Sequence, residues 1–571
     1  MKKRSEAVRP GWPEWCVLGL FAVLLTLVSV FHEPWFDEAE AWQIAKCASL
    51  KDILFTIPHY EGHPPLWHLV LLIPVRLGVP FEVGLKTVGI LFSTVAAALL
   101  IFRSPFPRFV RLLLPFSYFL FYQYGVIVRP YCMMMAAFYL LAMVFSAKDA
   151  RPWRFMLALL FLCLCSAYGV VFAGGIAVVW LWDIVTAHRA EGTLSLKALL
   201  KDRRIQALCV LLLAALALIA GFLPKEDTHA TNIQSVNTFP ERLLVTLFTF
   251  IPESLCTQSN WYSGVNLLST MNIRLIYLIP AGALGILVCI FLWAFSPQGK
   301  YRWFVLPYLL FAVFAAAVYI NAHHVGITLL FLLFWLWTIW DDPKRGENFS
   351  RLCSRLSVPV PDVRSRLFRF RKPALLLCCL LPLISLFWTV ASSVLDIENA
   401  YMPSREAAQF LKETGLDKRT IMGCWAYAEP EDDDPDTEED ETVEEYLDTN
   451  SIAGATEICG YFDCNIFFNF NNGNDRMAYF NHITLSDEEN LALLASWADT
   501  VPEVLIGMPE LEQVYHGSVT ADDFTPVLEI VSGTIWKGSQ QRIPNYIYVR
   551  NDLVDEYGLT AVEIRPYFTI E

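Results

Sequence analysis

The chain has 571 residues, of which 55% are hydrophobic and only 18% charged, a charged fraction too low for a purely soluble protein of this length. Its net charge of −14 is unevenly spread: from Asp396 onward about 36 acidic residues face about 9 basic ones, and the preceding part is near neutral or basic. A nucleic-acid partner is excluded, since it would need a basic stripe and the soluble part is acidic.

The first apolar run continues to Val30 without a small-residue cleavage site, so it reads as a retained first helix. Further runs approach the ~20 residues needed to cross a hydrocarbon core of about 30 Å. Basic segments mark the cytoplasmic side: Lys2-Lys3-Arg4, Arg103 to Arg111, Lys148 to Arg154, His188 to Arg204, Lys300 to Arg302, and Lys344 to Lys372. Between them the predicted spans are 14–31, 84–102, 109–125, 131–147, 153–168, 170–187, 205–222, 274–295, 303–320, 324–340 and 373–395. That makes about eleven crossings, with the N-terminus inside and the acidic tail outside.

The parity requires that Pro64 to Leu77 does not cross. Pro74 and Arg76 interrupt this short run, which is expected to lie in the outer interface within a first external loop, 31–82. Leu243 to Ile251 is read the same way, being stopped by Pro252 and Glu253. The predicted fold is therefore an all-α polytopic membrane domain over 1–395, with an extracytoplasmic α/β domain over 396–571. In the tail, Ser404 to Thr414 has helical spacing, and Thr420 to Ala426, Val504 to Ile506 and Tyr546 to Val549 read as strands. Glu429 to Glu445 is a solvated acidic loop. Most of the 14 cysteines sit in apolar runs and act as small hydrophobes. Two of Cys424, Cys459 and Cys464 could pair if the tail is external.

Four polar clusters then fall at one membrane face. The first is Glu33-Pro34-Trp35-Phe36-Asp37-Glu38-Ala39-Glu40, directly after the opening span. Asp37 and Glu40 lie three apart and share a face if the segment is helical. A carboxylate flanked by Trp35 and Phe36 is partly desolvated and suited to general-base work, although acidic residues also simply favour a helix N-terminus. The second cluster, His59 to His68, holds Glu61, Gly62 and His63 before Pro64-Pro65; its histidines could meet an anion, a metal or a sugar, or pack at the interface. Third is Val128-Arg129-Pro130-Tyr131, whose Arg129 could hold a phosphate through two parallel bonds or snorkel. Fourth is Asn321-Ala322-His323-His324-Val325-Gly326. Ionisable groups at membrane depth are functional candidates by default.

These four segments resemble the motifs of the GT-C glycosyltransferases, in particular bacterial members related to protein O-mannosyltransferases and the aminoarabinose transferase of lipid A. The resemblance lies in Trp35 to Ala39, Gly62 to Trp67, Val128 to Tyr131 and His323 to Gly326. It covers the membrane part to about residue 340 and the tail more faintly, and the first motif is the most specific. It implies a polyprenyl-phosphate sugar as donor, used at the outer leaflet, and a protein, glycan or lipid as acceptor. Asp37 would be the base, Glu38 its neighbour, and His63, Arg129 and His324 would face the donor phosphate, with Tyr131, His323, Glu40 and Glu61 beside them. The resemblance names no metal ligand and leaves open whether a divalent metal takes part. Related sequences often carry Lys where this chain has His63, and Arg-His where it has His323-His324. Each exchange replaces a permanent charge with one that titrates near neutrality, so donor binding is expected to weaken at higher pH. Two other classes stand against this reading: a transporter or flippase of a lipid-linked substrate, which would favour paired broken helices, and a non-catalytic membrane scaffold.

Overall fold

The computed structural model describes residues 11–226, 228, 238–256, 275–340, 342–356, 371–423, 452–470, 486–509, 511–540 and 542–565. The chain is mostly helical, with a small sheet near its C-terminus. Its apolar helices are α1 (Trp12–Phe31), α2 (Phe36–Cys47), α3 (Leu66–Arg76), α4 (Phe81–Arg103), α5 (Tyr131–Phe145), α6 (Pro152–Cys165), α7 (Ala167–Ala190) and α8 (Arg203–Phe222). They continue as α9 (Phe239–Phe248), α10 (Phe250–Cys256), α11 (Leu275–Phe295), α12 (Arg302–Ala317), α13 (Val325–Trp340) and α14 (Arg371–Glu398).

Among the described residues, five helical segments are long and apolar enough to cross a membrane: Trp12–Phe31, Phe81–Arg103, Ala167–Ala190, Arg203–Phe222 and Ala322–Trp340. Several bear apolar side chains outward, as lipid contact requires. Leu212, Leu213 and Leu216 on α8 are all more than half exposed. The helices α3, α5, α6 and α12 are apolar but shorter. At 1.5 Å per residue, the 11 residues of α3 reach about 16 Å, roughly half a hydrocarbon core. It packs on α2 and α4.

One predicted span is broken. Residues 109–125 form a short helix, Arg108–Leu113, a 3₁₀ turn, Leu114–Phe116, and a π-helical segment, Phe119–Val126. Pro115 cannot donate a backbone bond, and Ser117 is extended at the junction (ψ 151°). The break is sealed from the last long helix: Ser385 Oγ accepts the Tyr118 amide at 2.9 Å, and Thr389 donates to the Phe116 carbonyl at 2.8 Å. Leu243 to Ile251, expected as one interfacial run, spans the end of α9 and the start of α10. It is tied into the bundle by Tyr308, which donates to the Thr246 carbonyl at 2.7 Å.

Beyond α14 the chain forms α15 (Ser404–Thr414), β1 (Ile421–Gly423), α16 (Ile452–Cys459), α17 (Asp487–Ala498), β2 (Val504–Ile506), β3 (Phe524–Ser532), β4 (Ile535–Trp536), β5 (Ser539–Gln540) and β6 (Ile543–Arg550). The main sheet has the order β1-β2-β6-β3, with β1 parallel to β2 and the other pairs antiparallel. Its alternation buries both faces. Ile421, Val504, Ile506, Ile547 and Val549 pack under Ala407, Ala408 and Leu411 of α15, while Met422, Leu505, Tyr546 and Tyr548 pack against Leu494 and Trp497 of α17. Cys459 and Cys464 are free thiols. Cys424 and the acidic run 429–445 lie outside the described residues.

Two contacts lock this region to the helical bundle. Arg405 donates to both Glu82 oxygens at 2.8 Å, to Glu33 Oε1 at 2.5 Å, and to the Phe31 and His32 carbonyls. Burial opposes the Arg405 charge, but Glu82 and Glu33 outweigh it and raise its pKa; for Glu33 burial prevails and its pKa is raised. The second contact is the β4–β5 hairpin. Its two turn residues, Lys537 and Gly538, both have positive φ (47° and 75°), the geometry of the tight hairpin turns that suit a Gly second position. The turn enters the bundle: Tyr118 Oη accepts the Lys537 amide at 3.2 Å, Ser392 Oγ accepts the Gly538 amide at 2.9 Å, and the fully buried Lys537 ammonium pairs with Glu253.

Candidate functional site

The segment after α1 turns into α2 at Trp35. Glu38, three residues into the helix cap, accepts the Trp35 amide at 3.2 Å, which fixes where α2 begins. The same carboxylate accepts the Val128 amide at 2.6 Å and meets His32 Nε2 at 3.2 Å. His32 Nδ1 lies 3.0 Å from Asp396 on α14, and Tyr122 of the π-helical segment donates to that aspartate at 3.0 Å. His32, Glu38 and Asp396 are each about 1% exposed. Burial by itself would push the His32 imidazole down, but Asp396 and Glu38 overcome it and raise it to about 10. The imidazolium therefore joins α1, α2 and α14, and Glu38 extends the link to the chain just before Arg129.

Helical geometry turns Asp37 about 100° from Glu38. It pairs with Arg129, and the two side chains keep 24% and 16% exposure. Burial works against the guanidinium charge, but Asp37 prevails and raises the Arg129 pKa further. The Arg129 guanidinium lies 5.6 Å from the ring centroids of both Trp35 and Tyr131. His323 faces the same two rings, at 6.4 Å from Trp35 and 6.0 Å from Tyr131, and its carbonyl accepts from the Tyr124 hydroxyl at 2.7 Å. The His323 and His324 rings lie 4.0 Å apart. His324 is buried against Tyr131, Tyr168 and Tyr319. Its Nδ1 accepts the Asn321 amide at 2.8 Å, which leaves Nε2 as the donor nitrogen of the neutral ring. His63 lies within electrostatic reach of both histidines. It follows Gly62, whose left-handed conformation (φ 62°) ends the Pro58–Glu61 turn and redirects the chain into α3.

Asp37, Arg129, Tyr131, His63, His323 and His324 thus gather in one region, although they come from four segments of sequence. Glu38 adjoins it as a buried brace with its acceptor sites occupied. Glu40 is buried one turn further along α2. Glu61 acts on His68 of α3. Among the described residues, no three His, Cys, Asp or Glu side chains gather as a metal-binding group.

His32, Asp396 and Tyr122 were not singled out by sequence. His32 sat at a helix end, and Asp396 looked like the first residue of the acidic tail. The burial of both becomes visible only once α14 is seen to continue to Glu398. No family model, no curated protein and no solved structure matches the chain.

Proposed function

We propose that this chain is a membrane glycosyltransferase of the GT-C type, moving a sugar from a polyprenyl-phosphate donor to an acceptor hydroxyl at the outer face of the membrane. The observation that carries the reading is the partly exposed Asp37–Arg129 pair, ringed by Trp35, Tyr131 and His323. In the free protein the carboxylate occupies the guanidinium. A donor phosphate offers Arg129 a second oxyanion of matching fork geometry, and engagement of that phosphate frees Asp37 to accept a proton. The acceptor oxygen then attacks the anomeric carbon and loses its proton to Asp37. The bond from that carbon to the phosphate oxygen breaks, its electron pair leaving with the phosphate, and the configuration inverts. Arg129 stabilises the charge that grows on the leaving group. His63 and the Nε2 donor of His324 serve the same phosphate, and the distribution of basic loops in the sequence supports a site at the outer leaflet.

Asp37→Asn is the test. It keeps the shape and a hydrogen bond to Arg129 but cannot take a proton. Transfer from a polyprenyl-phosphate sugar should fall by about 10²–10⁴-fold, while the purified variant elutes and melts like the parent. Undiminished transfer would remove Asp37 as the base. Cysteines placed at Glu61 and at the exposed Gln409 should label from outside the cell, and labelling only from within would overturn the orientation.

A further inference from the structure

At the far ends of the helices that carry the candidate site lies a second charged region. Helix α5 begins two residues after Arg129 and runs to Phe145, α7 begins beside His324 and runs to Ala190, and α8 starts at Arg203 and ends where Leu223 accepts from His59 Nδ1 at 2.7 Å. The loops joining α5 to α6 and leading into α8 therefore meet at the opposite face. There they enclose a cavity of about 310 Å³ lined by Asp149, Arg151, Trp153, Arg154, Arg203 and Arg204, among others. That volume falls at the lower end of the ~300–1,000 Å³ of ligand pockets.

The charges around the cavity do not balance. Asp202 is taken by Arg204, whose Nε meets both its oxygens at 3.1 Å and whose Nη2 reaches one at 2.6 Å, and by His188 Nε2 at 3.0 Å. Asp149 is taken by Lys148 at 3.1 Å and by the Trp180 indole at 3.1 Å, with Arg204 at 3.7 Å beyond. Both carboxylates are held below their usual range: for Asp202 the Arg204 hydrogen bond leads, and for Asp149 the Trp180 and Lys148 bonds overcome burial. Arg151, Arg154 and Arg203 make no ion pair among the described residues. Three exposed guanidiniums thus share one concavity with no carboxylate paired to them among the described residues, Asp149 and Asp202 being taken by other partners, and their fork geometry matches phosphate. The first turn of α6 opens onto the same space with no side-chain cap.

What lies beside the cavity decides the kind of phosphate. Trp153 and Leu157 are one turn apart on α6 and 42% and 57% exposed. Helix α8 packs on α6 and carries Val210, Leu212 and Leu213 outward, 42–68% exposed. A soluble phosphate would use none of this apolar surface. A phospholipid would use all of it, its headgroup among the arginines and its chains along α6 and α8. We propose that Arg151, Arg154 and Arg203 form a binding site for an anionic phospholipid headgroup, at the membrane face opposite the candidate active site. The proposal does not depend on the transfer reaction.

The full-length protein is reconstituted in bilayers of equal phosphatidylglycerol and phosphatidylcholine, extracted in mild detergent, and its retained lipid weighed by native mass spectrometry. The parent should retain phosphatidylglycerol over phosphatidylcholine, and R151Q/R154Q/R203Q should lose about a hundredfold of that preference at unchanged melting temperature. The single change Arg203→Gln leaves the Asp202 cap of α8 intact and should lose part of it, which guards against a misfolded triple variant. Equal retention by parent and both variants would overturn the site. Displacement of the lipid by millimolar inorganic phosphate would overturn the headgroup reading in favour of a soluble phosphate.

Discussion

Replacing His32 with glutamine tests the buried charge cluster behind the candidate site. Glutamine still donates a hydrogen bond but carries no charge, so Glu38 and Asp396 lose their shared cation in a region about 1% exposed. Two routes give the size of the loss. Breaking a buried ion pair by removing one partner costs about 3–5 kcal/mol. Raising an imidazole from 6.5 to about 10 on folding corresponds to about 5 kcal/mol at about 1.4 kcal/mol per pH unit. The sign follows from the direction of the shift. His32 binds its proton more tightly in the folded state, so its contribution is complete below pH 6.5 and fades as pH rises toward about 10. For a chain of 571 residues, a loss of about 5 kcal/mol lowers the melting temperature by about 4 °C. The assay is thermal unfolding of parent and H32Q in detergent across that pH range. The gap should be widest near pH 6.5 and nearly closed by pH 10. A gap that ignores pH would refute the imidazolium, and no gap at any pH would refute the cluster.

Two further changes probe the packing around the same region. Gly326→Ala places a methyl 2.6 Å from the Tyr124 ring, which is fully buried and tethered by its hydroxyl to the His323 carbonyl; overpacking should cost about 1–3 kcal/mol, and an unchanged melting temperature would show that the ring can yield. Lys537→Met removes the cation that the hairpin turn brings to Glu253, which should cost about 3–5 kcal/mol. Adding Glu253→Gln should restore much of that loss, and a double variant that melts no higher than K537M would disprove the pairing.

How much of this was legible in the sequence depends on how far each feature reaches. The start of α2 could be read because Trp35 to Ala39 is local, and α15 and the strands at Val504 and Tyr546 announce themselves by spacing alone. The break at Leu114 to Phe119 had its signals, Pro115 and Ser117, but an average over an apolar run conceals two residues among seventeen. The Lys537-Gly538 turn also had one, a glycine between short β-forming pairs, and it was missed because nothing local says that the turn enters the helical bundle. His32 and Asp396 had none: they lie 364 positions apart, and neither looks buried until the fold joins them.

Neighbouring acids on α2 show why composition alone could not assign their roles. Asp37 and Glu38 are adjacent, of like charge, and equally suited on paper to accept a proton. About 100° of helical rotation separates a carboxylate that keeps 24% exposure and pairs with Arg129 from one that spends its oxygens on two backbone amides and an imidazolium. A proton acceptor must be reachable and must be able to exchange its partner. Glu38 can do neither without releasing the start of α2 and the chain leading into Arg129, whereas Asp37, on the proposed reading, gives up its ion pair with Arg129 to an incoming phosphate. On the proposed reading, Glu38 fixes the backbone from which both Asp37 and Arg129 project, so its loss should act on the proposed transfer through their position, not through a missing proton acceptor.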